Sequence, residues 1–226
     1  MPDKPFVFLC AHPDDMAAVA GTLLLLRQKG YAIHDFCLTR GEKGRTPPDG
    51  RDTATVRLEE EHAACELVGA ELTCFGEPDG ALFAGREICT TVADRLRQLR
   101  PAGLITHWPL EKPDHSAAFA VAFRALHLAE LFFTTELYLA NTDGRSCMFT
   151  PDLYVNVSEV IEPKLAVARC YRNQWETTAA EPAEQAARAH GKAAWCDCAE
   201  AFATPLPLMG TRWGRRAEVG RILLDL

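Results

Sequence analysis

The chain has 226 residues, with 24 Lys plus Arg against 31 Asp plus Glu and a formal net charge of −7. That length suits one large α/β domain and buries roughly 70–75% of the unfolded surface, so no disulfide or metal staple is needed. An acidic chain without a basic block is a poor partner for nucleic acid or an anionic membrane. A hydrophobic fraction of 48% with 24% charged residues excludes disorder, collagen and coiled coil.

The apolar run Phe6–Cys10 reads as a buried strand, and Asp14–Lys29 as a helix with Gly30 just past its end. Tyr31–Thr39 is rich in β-formers. Arg51–Val68 is an acidic amphipathic helix ending near Gly69. Glu71–Phe75 is a short strand, and Glu87–Leu99 repeats Ile88, Val92, Leu96 and Leu99 at helical spacing. Leu104–His107 is a strand stopped by Trp108-Pro109, and His115–Ala129 a helix. Glu136–Ala140 and Leu153–Val157 are further strands. Val160–Tyr171 and the alanine-rich Pro182–Phe202 are helices. Strands alternating with helices predict βαβ units in a mainly parallel sheet, a three-layer α/β sandwich with ligands at the carboxyl ends of the strands. After about residue 130 the alternation weakens, which suits an antiparallel or helical cap. No linker, repeat or low-complexity tract divides residues 1–226, so one domain is expected.

The nine cysteines are odd in number and form no CxxC pair, and several sit in apolar runs. That is the usage of buried free thiols in a reducing compartment. No stretch reaches the ~18 apolar residues of a membrane span and no secretory signal opens the chain. A cytoplasmic protein is expected, acting on a small molecule, with no nucleic acid or membrane partner. A symmetric homo-oligomer is an open possibility.

The first strand runs into Ala11-His12-Pro13-Asp14-Asp15. Pro13 stiffens the turn, and His12 and Asp15, three residues apart, can face one spot above the strand end. Imidazole and carboxylate are zinc ligands; the other reading is a helix N-cap with charge favourable to the dipole. Asp14 lies between them, free to reach a water. A second polar cluster, Lys112-Pro113-Asp114-His115, follows the strand Leu104–His107 and opens a helix, at the same sheet edge. His115 supplies a second imidazole and Asp114 can orient a histidine or the water. Two His and one Asp leave a coordination position open, the catalytic arrangement.

These segments resemble the PIG-L/LmbE-like N-acetylglucosaminyl deacetylases. Ala11-His12-Pro13-Asp14-Asp15 is similar to the family's opening signature, and Leu38-Thr39-Arg40-Gly41-Glu42-Lys43-Gly44 to its second loop. Arg57-Leu58-Glu59-Glu60 followed by Gly69, Pro78-Asp79-Gly80, and Thr106-His107-Trp108-Pro109 through Pro113-Asp114-His115 continue the series in order, over about residues 5–175. The resemblance implies a Rossmann-like fold and one Zn²⁺ held by His12, Asp15 and His115. It implies Asp14 as general base, with Asp114 assisting, and N-acetyl hydrolysis on an amino sugar. Arg57 resembles a substrate-side residue, its alternative being a salt bridge to Glu60 or Glu61, and Arg40, in the second loop, is a further candidate for binding substrate. Two departures stand out. Met16 takes the place of a family Glu, and Lys112 that of the histidine thought to stabilise the oxyanion. A lysine ammonium can stabilise an anion as well, with a longer reach. The departures leave open an altered acyl substrate or a relative that binds without turnover. Two His and one carboxylate also suit non-haem iron.

Among the remaining residues, His107 reads as a packing histidine, and His34, His62, His127 and His190 as structural or exposed. Trp108 and Trp175 suit packing or a sugar-stacking wall. Cys196-Asp197-Cys198 is too closely spaced for a zinc knuckle, and Arg212–Arg216 is too small a basic patch for nucleic acid.

Overall fold

The computed structural model describes residues 4–144, 148–175, 178–205 and 221–226. The basic patch at 212–216 and Cys147 lie outside them. Seven strands form one sheet: β1 (Lys4–Cys10), β2 (Tyr31–Thr39), β3 (Ala70–Glu77), β4 (Gly103–His107), β5 (Glu136–Ala140), β6 (Leu153–Asn156) and β7 (Ala199–Ala203). Their order is β3-β2-β1-β4-β5-β7-β6. The first five run parallel, and β7 is antiparallel to both β5 and β6.

Alternation along β1 shows why the sheet is buried on both sides. Phe6, Phe8 and Cys10 enter one apolar core, while Val7, Leu9 and Ala11 enter the other. A parallel sheet covered on both faces needs strands that are apolar throughout. The first core packs under α1 (Ala20–Gln28), α2 (Thr53–Val68), α5 (Ile161–Ala168) and α6 (Ala180–Ala194). The second packs under α3 (Arg86–Leu99) and α4 (Pro113–Leu128). A short α7 (Arg221–Leu224) ends the described chain. The eight described cysteines are free thiols, most of them buried. No described helix is long and apolar enough to cross a membrane.

Two expectations are corrected. Asp14–Lys29 is not one helix: a 3₁₀ turn, Asp15–Ala18, is separated from α1 by Val19. Pro182–Phe202 is not one helix either. Helix α6 stops at Ala194, Trp195 takes a left-handed conformation at φ 59°, and Ala199–Ala203 is the fully buried strand β7. Alanine carries little strand preference, so the segment reads as a continued helix; pairing with β5 and β6 overrides that local bias.

The chain leaves β1 for β2 on one side and later returns to β4 on the other. The β1/β4 boundary is therefore the point where strand order reverses, and a crevice opens there beyond the carboxyl ends of the strands.

Candidate metal centre

The crevice is lined by the loops after β1 and β4. His12 follows β1, Asp15 opens the 3₁₀ turn, and His115 lies in the first turn of α4, where Pro113 stands at the helix start with its fixed φ. All three side chains are buried. His12 Nδ1 lies 3.3 Å from His115 Nε2 and 3.6 Å from Asp15 Oδ2, and His115 Nε2 lies 3.2 Å from Asp15 Oδ1. Ligands at about 2.0–2.1 Å from a tetrahedral metal stand about 3.4 Å apart, and one donor atom from each of His12, Asp15 and His115 lies within 4.8 Å of the other two, so the three side chains could hold one ion.

The opposite ring nitrogens have carboxylate partners. His12 Nε2 faces Asp114 Oδ2 at 3.1 Å and Asp79 Oδ1 at 3.2 Å. His115 Nδ1 bonds Glu111 and lies 3.0 Å from Thr142 Oγ1. With those nitrogens turned to carboxylates, His12 Nδ1 and His115 Nε2 are the ring atoms left facing each other and Asp15. Such a donor set fits a cation, and the carboxylate–imidazole pairs are those that orient metal-bound histidines. Asp79 is itself held, accepting from Lys43 N at 2.9 Å, and Asp114 accepts from Gly80 N at 2.6 Å.

Charge follows the same pattern. Burial opposes protonation of His12, but Asp15 and Asp79 outweigh it and raise its pKa to about 10. Burial alone would raise Asp15; His115 and His107 instead pull it well below the usual carboxylate range. Asp79 falls to about 2, with His12 outweighing desolvation. At neutral pH His12 thus carries a proton that a cation binding at Nδ1 would have to displace.

Asp14 stands apart from these three residues. Its backbone is left-handed, at φ 103°, and its side chain makes no helix cap, so the N-cap reading is not what is found. Its N–H donates to Glu61 Oε2 at 3.0 Å, and Arg57 Nη2 donates to its Oδ1 at 2.7 Å. Arg57 also bonds the carbonyls of Pro13 and Gly41. Desolvation raises the Asp14 pKa to about 6, with Arg57 opposing. That is close to the operating pH of a group that takes and returns a proton.

His107 is more than packing. It accepts Ala11 N–H at Nε2 (2.9 Å), reaches Thr142 Oγ1 at 2.8 Å through Nδ1, and stacks on His115. It ties the loop after β1 to the loop after β5 and to α4. Glu111 was not singled out in the sequence, and its position four residues before His115 was the one available signal. Asp79 was visible only as part of a Pro-Asp-Gly turn.

Two cavities meet at Asp14 and Lys112. The smaller, about 290 Å³, reaches His12, Lys43, Arg57 and Asp79. The larger, about 610 Å³, runs from Asp15 past Thr142 and Trp175 to His190 and the alanines of α6. Lys112 is exposed at the shared rim, and Met16 is fully buried in the first core. Arg40 is exposed and lines neither cavity. Trp108 packs edge-on against Phe149. No described metal-ligating group includes Cys196 or Cys198.

The chain is 31% identical over 180 residues to a probable N-acetyl-alpha-D-glucosaminyl L-malate deacetylase 2 of Bacillus cereus, covering 73% of this chain and 81% of that one. It is 27% identical over 199 residues to a 4-oxalmesaconate hydratase of Pseudomonas putida, covering 77% of each. A conserved protein of Thermus thermophilus superposes with a TM-score of 0.77 at 30% identity, over 95% of this chain and all of that one. Residues 7–126, more than half of the chain, match the family described as GlcNAc-PI de-N-acetylase. That family match, with a fold shared over 95% of this chain with the Thermus thermophilus protein, makes this chain a member of the PIG-L family.

Proposed function

We propose that the protein is a zinc-dependent hydrolase that removes an N-acetyl or similar N-acyl group from an amino-sugar derivative. The observation that carries this reading is the convergence of His12, Asp15 and His115 on one spot with Asp14 beside it. His12, Asp15 and His115 would hold the ion. The chemistry it supplies is Lewis acidity, polarising an acyl carbonyl and acidifying water.

The remaining work falls to this chain's own side chains. Asp14 takes a proton from the attacking water and returns it to the departing amine nitrogen as the C–N bond breaks. Arg57 holds the Asp14 carboxylate in place and faces the smaller cavity, so the same guanidinium borders the substrate. Lys112, at the rim of both cavities, offers an ammonium to the developing oxyanion. Asp114 fixes the His12 ring through Nε2. Arg40, outside both cavities, would act only on a substrate part that leaves the crevice.

The test is acetate release from a panel of N-acetyl amino sugars by zinc-loaded protein, alongside Asp14→Asn. Turnover by the wild type and a loss of about 10²–10⁴-fold in the variant, with zinc retained, is the expected result. No release from any sugar, with Asp14→Asn indistinguishable, would sink the reading.

A second reading has its own support. Lys43, Arg57 and Lys112 put three cations around the smaller cavity, and one relative is a 4-oxalmesaconate hydratase. Hydration of an unsaturated polycarboxylate would use the same water and base. Loss of the substrate's conjugated ultraviolet absorbance, without acetate release, would favour it.

A further inference from the structure

The break between the 3₁₀ turn and α1 leaves backbone groups without helical partners. Val19 is non-helical at φ −118°, ψ 6°. The carbonyls of Ala17 and Ala18 and the N–H groups of Gly21 and Thr22 are consequently orphaned from the helix. In a buried position each such group is costly unless paired.

One ion pair satisfies all four. Lys164, from α5, donates to Ala17 O at 2.7 Å, Ala18 O at 2.9 Å and Glu200 Oε1 at 2.7 Å. An ammonium has three N–H donors, and all three are used. Glu200, from β7, accepts from Gly21 N through Oε1 and from Thr22 N through Oε2, both at 2.8 Å. A carboxylate there also meets the positive end of the α1 dipole. Both side chains are almost wholly buried. Gly21 is required for the approach, because a Cβ there would fall 2.8 Å from Glu200 Oε1 and 2.8 Å from Val157 Cγ1.

The clamped turn begins at Asp15 and is preceded by Asp14. Within it, Ala17 N donates to Asp14 O and Val19 N to Met16 O. The turn is only four residues long, so holding its last two carbonyls fixes the rotation of the whole turn. We infer that Lys164 and Glu200 are positioning residues that set the direction of the Asp14 and Asp15 carboxylates from the far side of the turn. Neither reaches His12, Asp15 or His115, so neither is a catalytic residue. This inference rests on the metal reading above.

The experiment measures zinc affinity by competition with a chromogenic chelator, and the visible d–d spectrum of the cobalt-substituted protein. Two variants are compared with wild type: Glu200→Gln, and Lys164→Met/Glu200→Gln, which removes both charges together so that neither is left buried alone. Each is first checked by circular dichroism and thermal melting. The expected result is a folded protein whose zinc affinity falls about 10-fold or more and whose cobalt spectrum shifts, the size of effect seen for groups that orient metal ligands. The milder single variant carries the test if the double variant does not fold. Folded variants with zinc affinity within about twofold of wild type and an unchanged cobalt spectrum would overturn the inference while leaving the metal reading intact. Failure of the wild type to bind zinc or cobalt would remove both.

Discussion

Asp14 is the residue on which the site turns. A non-glycine residue at φ 103° occupies backbone space that costs of order 1–3 kcal/mol and persists only where its surroundings hold it. Glu61 grips its N–H and Arg57 its carboxylate, one turn apart on α2. Lys112 makes a second prediction at this scale. If its ammonium meets the oxyanion, Lys112→Ala lowers turnover about 10²–10³-fold with zinc affinity unchanged; a loss of less than about threefold in steady-state kinetics would assign that work elsewhere. The convergence of His12, Asp15 and His115 was legible in the sequence because short motifs put imidazole and carboxylate side chains at the ends of two strands. Glu111, Asp79 and the deeper role of His107 were not. Each acts through a loop that meets it across the sheet edge, and no local pattern encodes that meeting. Arg57 illustrates the same limit: its helix neighbours Glu60 and Glu61 were the obvious partners, yet it reaches across to Asp14.

Gly103 shows how tightly the elements behind the site are packed. It opens β4 beside Phe6 of β1, and a Cβ at this position would press into the Phe6 ring. Gly103→Ala is expected to cost about 1–3 kcal/mol, read as a lower urea midpoint with little change in slope. A variant as stable as wild type would mean that the β1/β4 contact relaxes at no cost. Strands β1, β2 and β5 were legible because their apolar runs end at turns or polar residues. Strand β7 was not, since alanine favours the helix that precedes it and no proline or glycine marks the stop at Trp195.

At the scale of the whole molecule, the core holds two acids outside the His12, Asp15 and His115 cluster. Asp35 on β2 and Glu61 on α2 are fully buried, and the thiols of Cys10 and Cys65 donate to Asp35. Desolvation raises Asp35 to about 6 and Glu61 well above its ordinary value, with Asp35 adding to the latter. The folded state then keeps protons that the unfolded chain gives up from about pH 4, so this pair makes stability fall as pH rises. Asp35→Asn cannot ionise. Its stability relative to wild type should therefore increase between about pH 4.5 and about pH 7, measured by urea unfolding at each pH. A difference that is flat or runs the other way would show that Asp35 is ionised in the folded protein.

The place of β7 also bears on how the protein is made. It lies between β5 and β6 in the sheet, yet it is the last strand of the described chain to leave the ribosome. Strand β6 has no neighbour to pair with until β7 arrives. A nascent chain that ends after α4 already carries His12, Asp15 and His115, but neither Lys164 nor Glu200 has been synthesised. Its donors would be present before the scaffold that aims them. Metal acquisition is thus expected to be a late event in biosynthesis, following the docking of β7.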